Sequence, residues 1–190
     1  MSAAALKEWA SVVHAFGTGE QLVLIRKGGL VEASRGFEVL ADRFVFYPTF
    51  EHQTVNFLRP DYAGYLDLEL RSRPSEGQVR IEWGGLVTAS ASTTDASVLK
   101  RLTSFHIYND AFLEQRLHWQ PDQPLVVAIV RAFRLPAPQV LPVSPRYGGC
   151  KSWVDLDGSM PLDGAVPVLD DAAFAQRLQP IRAVLGLTEI

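Results

Sequence analysis

The 190-residue chain has a single cysteine, Cys150. A disulfide framework within the chain is therefore impossible, which fits a reducing compartment. No apolar run reaches the ~18 residues that a membrane span requires. The longest, from Pro124 to Ala132, suits a buried strand. The opening MSAAALKEWASVV is not a secretory signal, because Lys7 and Glu8 interrupt its apolar stretch. The expected location is the cytoplasm. Positive charge is not in excess: 18 Lys and Arg face 21 Asp and Glu, for a net charge of -3. That balance argues against bulk attraction to nucleic acid or anionic lipid, although a local basic patch can sit on an acidic chain. None of the four histidines forms His-x-x-x-His and there is no cysteine pair, so no metal motif is read. The phosphate-loop pattern Gly-x-x-x-x-Gly-Lys-Ser/Thr and any fixed-period repeat are missing too.

Hydrophobic residues make up 47% of the chain, which is typical of a folded globular protein. Its length suits one domain over residues 1–190, burying roughly 70% of the surface of the unfolded chain. Leu6, Trp9, Val13 and Phe16 recur at helical spacing and predict a helix over 3–16, ended by Gly17 and Gly19. Strands are predicted over 21–26, 37–40 and 43–47, the last stopped by Pro48. Residues 65–71 (YLDLELR) alternate apolar and polar, which predicts a half-buried strand. Strands 79–83 and 86–90 flank Gly84-Gly85, a two-residue hairpin signal, and complete a three-stranded meander. Thr94 or Asp95 caps a predicted helix reaching Leu102, and Asn109 or Asp110 caps another. A strong strand follows Pro124. Pro136, Pro138, Pro142 and Pro145 then predict a surface connector. Residues 152–156 read as a strand, and Asp170 or Asp171 caps a last helix; Pro180 breaks it or begins another. The fold class is α+β, with a mostly antiparallel, partly barrel-like sheet and flanking N-terminal, central and C-terminal helices.

Three segments carry candidate chemistry. In Arg26-Lys27-Gly28-Gly29, two glycines allow close backbone approach and two cations can grip a phosphate or carboxylate. The plainer alternative is a turn whose cations are solvated. In Tyr47-Pro48-Thr49-Phe50-Glu51-His52-Gln53, Glu51 and His52 can serve as catalytic acid and base, with Tyr47, Thr49 and Gln53 as ligand contacts. Neighbours on an extended chain point apart, so this pair shares a site only where the loop turns. The plainer reading makes Thr49 a helix N-cap. In the third segment, Tyr147, Lys151 and Trp153 accompany Gly148-Gly149, a mixture suited to stacking on a base and contacting phosphate. Here the competing reading is Trp153 in the core and the glycines in a turn. Asp67 and Glu69 read as the solvated face of a strand, and Cys150 as a buried, inert thiol. Glu51, His52 and His106 could meet in space around a metal, but no ligand spacing in the sequence points to it.

LKEWA (6–10), RKGG (26–29), YPTFEHQ (47–53), PLVVAIVRAFRLP (124–136) and YGGCKSW (147–153) together resemble the bacterial family catalogued as domain of unknown function 1802. The resemblance covers nearly the whole chain and implies a single conserved domain without naming an activity. The first segment alone, a helix, then Gly19, then a strand ending at Arg26, resembles the opening of the ASCH branch of PUA-like domains. That resemblance implies a small β-barrel that binds RNA or nucleobases, some of its members being enzymes. Gln21 stands where that pattern expects a lysine. Two functional expectations follow. One is a module whose anion-binding pocket takes a nucleotide or nucleic acid, with no membrane partner. The other is a metal-dependent phosphoesterase or nuclease-like enzyme working through Glu51 and His52. A purely structural interaction protein is the third possibility. No cofactor or oligomeric state is readable.

Overall fold

The computed structural model describes residues 2–27, 43–149, 151–158, 160 and 162–187. The predicted strand at 37–40 lies outside them, as do Gly28, Gly29 and Cys150. Seven strands are described: β1 (Ser2–Trp9), β2 (Val23–Lys27), β3 (Arg43–Thr49), β4 (Gln78–Thr93), β5 (Leu125–Pro142), β6 (Trp153–Asp157) and β7 (Val166–Pro167). Five helices accompany them: α1 (Ala10–Gly17), α2 (Gly64–Ser72), α3 (Ala96–Arg101), α4 (Asp110–His118) and α5 (Asp171–Leu185). The sheet order is β2-β5-β4-β3-β1-β6, with β7 on β5. Every pairing is antiparallel except β1 with β3, so the α+β, mostly antiparallel expectation holds. Among the described residues, no helix is long and apolar enough to cross a membrane.

The first predicted helix is half strand. Residues 2–9 lie between β3 and β6, and their alanines allow close packing there. Tertiary pairing thus overrides the helix propensity of an Ala-rich stretch. Helix α1 starts only at Ala10, where Val12, Val13 and Phe16 enter the core. Alternation sorts the sheet residues onto two faces. Phe44 and Phe46 join the main core with Leu6, whereas Val45 and Tyr47 join a second cluster with Ala5, Tyr147 and Leu156.

Residues 65–71 form helix, not strand. On α2, Tyr65 and Glu69 are four apart and both meet His14 of α1, while Leu68 and Leu70 stay exposed. The alternation that suggested a strand is therefore half solvent-facing. Gly84-Gly85 makes no hairpin, and β4 runs straight through it. A Cβ on Gly85 would sit 2.6 Å from Phe44 Cζ, and one on Gly84 would sit 3.0 Å from the Phe44 carbonyl. These glycines admit the neighbouring strand and its ring rather than a turn. The proline segment is not a free connector either, because β5 continues to Pro142. The ladder slips between Trp83, opposite Arg134, and Ile81, opposite Gln139, so Pro136 and Pro138 fall in the slip. Strand β3 likewise passes Pro48, which pairs with Glu8 in the parallel ladder, and Thr49 ends that strand instead of capping a helix. Helix α5 continues through Pro180.

Caps were the most legible local feature. Asp95, Asn109 and Asp170 each accept a backbone N–H at the start of α3, α4 and α5.

Candidate functional site

Strand β6 accompanies β1 only as far as Leu6, and the Lys7 N–H then closes on the Ser152 carbonyl at 2.8 Å. Beyond that point one edge of β1 is open. Strand β2 comes round to face it, although β5, β4 and β3 separate the two along the ladder. Side chains bridge the seam in place of backbone pairing. Arg26 on β2 donates from Nη2 to the Lys7 carbonyl at 2.7 Å and lies 2.6 Å from Glu8 Oε2. The sheet therefore curls like a barrel without closing, and a cleft of about 480 Å³ occupies the seam.

Five stretches of chain wall this cleft, together with Phe57 and Tyr108. From β1 come Lys7, Glu8 and Trp9, and from β2 Ile25 and Arg26. Helix α4 and its C-cap present one stripe, namely Phe112, Gln115, Arg116 and Trp119, spaced by a helical turn. Gly149, Lys151 and Ser152 close the far side, and Thr49, at the end of β3, forms the rim with Glu51 and His52. Lys7 holds the 147–149 loop in place, donating from Nζ to the carbonyls of Tyr147 and Gly149, each at 2.9 Å. The inner wall is aromatic. Trp9 and Phe57 stack at 6.2 Å between centroids, Tyr108 and Phe112 at 4.0 Å, and Trp9 meets Phe112 edge-on at 5.5 Å.

Four cations thus face two carboxylates, and one of those carboxylates, Glu8, is already bound to Arg26. Burial lowers the Arg116 pKa below its ordinary value, and the nearby Arg26 charge lowers it further. Two like charges in a partly buried seam favour an anion between them. Burial, then the Glu8 charge, pushes the Tyr108 phenol far above its usual range, so it stays neutral.

Of the residues singled out in the sequence, Arg26, Thr49, Glu51, His52 and Lys151 come together in this cleft. The requirement for a turn at Glu51-His52 is met: His52 has φ 60, and both residues line the rim. Lys27, Gln53, Tyr47, Tyr147 and Trp153 make contacts within the fold, and Gly28, Gly29 and Cys150 lie outside the described residues. Lys27 is buried and donates to the Leu117 carbonyl at 2.7 Å, near the end of α4; desolvation lowers its pKa, opposed by Asp122. Gln53 accepts from Ser11 Oγ at 3.2 Å, at the start of α1. Tyr47 and Tyr147 pack in the second core cluster, and the Tyr147 hydroxyl meets the Asp157 backbone N–H and carboxylate. Trp153 packs edge-on against Phe44. His106 is fully buried, and desolvation lowers its pKa to about 4, so it cannot join His52 at the rim. Among the described residues, no three His, Cys, Asp or Glu side chains are placed to hold a metal. Gln21, at the position of the lysine in the ASCH pattern, is buried and structural: it donates to the Val23 carbonyl and accepts from the Ile107 N–H.

The sequence reading missed Lys7, Glu8 and Trp9 as site residues, because it put them on a helix. It also missed the α4 stripe, whose signal was an arginine and a tryptophan one turn apart at the end of a short helix.

The model of a domain of unknown function (DUF1802) matches residues 5–180. The chain belongs to the DUF1802 family. That match contains all five segments that carry the resemblance, from 6–10 to 147–153. No curated protein matches this DUF1802 chain. A mutant ZmASCH protein from Zymomonas mobilis is a similar solved structure, with 10% identity and a TM-score of 0.42. The likeness covers 67% of this chain and 66% of that one, and at this level it carries no functional argument.

Proposed function

We propose that the seam cleft of this DUF1802 protein binds a nucleotide or the end of a nucleic-acid strand through its phosphate and base. The observation that carries this reading is the meeting of Lys7, Arg26, Arg116 and Lys151 with the Trp9–Phe57 stack in one cleft of about 480 Å³. That volume lies within the range of small-molecule sites. Lys7 and Arg26 are committed to protein carbonyls and to Glu8. Arg116 and Lys151 are therefore the cations that meet the phosphate, while the rings face the base. The acidic net charge does not oppose this, because the attraction is local.

Calorimetric titration tests the reading. Adenosine 5′-monophosphate is expected to bind at least tenfold tighter than adenosine, because the phosphate adds charge-assisted hydrogen bonds of about 1.5–3 kcal/mol each. Equal affinity for the two would remove the anion site from the account.

A second reading rests on the left-handed turn at His52, which brings Glu51 and His52 to the same rim. Such a pair can move protons during phosphoester hydrolysis. Release of inorganic phosphate during the titration would identify it.

A further inference from the structure

Trp119 has a large apolar side chain that is 48% exposed, on the cleft rim at the C-cap of α4. Its position on the rim of the cationic cleft, rather than its exposure alone, sets it apart, because a tryptophan ring gains burial there when a ligand covers it. Its neighbours fit that use. Arg116 is one turn away on the same stripe, with its guanidinium 5.0 Å from the Phe112 ring centroid. The inner Trp9–Phe57 stack already offers aromatic surface to one base, so a mononucleotide held there leaves the rim ring unused. Among the described residues Trp119 stacks on no other ring.

Building on the nucleotide reading above, we propose that the physiological ligand is a single-stranded nucleic acid. One base would lie in the cleft, and the adjoining nucleotide would stack on Trp119. Bases in a duplex are already stacked and cannot lie on a protein ring. Tight duplex binding also draws on many phosphate contacts along an extended basic face. This chain has net charge -3 and gathers four cations into one cleft, which suits a short contact with an unpaired strand.

The experiment compares adenosine 5′-monophosphate, the RNA tetranucleotide AAAA and a 12-base-pair RNA duplex, by calorimetry, on wild type, Trp119→Ala and Trp119→Phe. The wild type is expected to bind the tetranucleotide tenfold to a hundredfold tighter than the monophosphate, and the duplex more weakly than the tetranucleotide. Trp119→Ala is expected to remove that tetranucleotide advantage, weakening the tetranucleotide at least fivefold more than the monophosphate. Trp119→Phe, which keeps a stacking face, is expected to restore most of it. Monophosphate binding with no tetranucleotide advantage overturns the inference and spares the nucleotide reading. An equal loss of both ligands in Trp119→Ala assigns the ring to the nucleotide pocket and overturns it as well. Preference for the duplex overturns the single-strand claim. Failure of every ligand to bind the wild type defeats the nucleotide reading and this inference together.

Discussion

Arg26→Ala is expected to destabilise the fold by about 3–5 kcal/mol, before any ligand is considered. The Glu8 carboxylate is only 5% exposed and lies 2.6 Å from Arg26 Nη2. Removing the guanidinium strands a buried charge and also frees the Lys7 carbonyl on the open edge of β1. For a chain of this size the melting temperature should fall by on the order of 10 °C. Glu8→Gln combined with Arg26→Ala should recover much of that loss, because the buried charge is gone. A single variant melting within about 2 °C of wild type would show that the seam is held by something else. Lost ligand binding in Arg26→Ala therefore cannot be read as a lost ligand contact.

The second large effect is acid destabilisation through His106. Its ring is fully buried, and desolvation lowers its pKa from 6.5 to about 4. The unfolded chain takes up this proton as pH falls through 6.5, whereas the folded chain takes it up only near 4. The protection is complete above the unfolded value and is lost progressively between pH 6.5 and 4, to a total of about 3 kcal/mol. Urea unfolding followed from pH 8 to pH 4 should show that decline, and His106→Gln should flatten it. The His106 ring resonances of the folded protein should stay in the neutral position down to pH 5. A titration midpoint near 6.5 for that ring in the native state would contradict the buried assignment.

Both effects depend on features that the sequence showed only in part. Arg26 stood out because a cation beside two glycines suggests an anion site, and it does line the cleft. Nothing local revealed Glu8 as its partner, since residues 2–9 had the Ala-rich composition of a helix and became a strand only between β3 and β6. Helix α4 was legible from its Asn109 cap, yet the use of its Arg116–Trp119 stripe depends on where β2 curls. Residues 65–71 show the reverse problem. Period-two alternation there is genuine, but α2 is held by Tyr65 and Glu69 against His14 and leaves the other apolar positions in solvent. Lys27, Gln53, Tyr147 and Trp153 had the right chemistry for a site and were consumed by the fold. Each meets a helix end or a ring that lies far away in sequence.

The central claim is that Arg116 and Lys151 hold a phosphate at the seam between β1 and β2. Its most direct measurement is calorimetric titration of adenosine 5′-monophosphate into wild type and into the double variant Arg116→Ala/Lys151→Ala, with Lys100→Ala on exposed α3 as control. Two lost charge-assisted contacts predict an affinity at least a hundredfold weaker in the double variant, with the control unchanged and the folded spectrum intact. Undiminished affinity in a folded double variant would contradict the account.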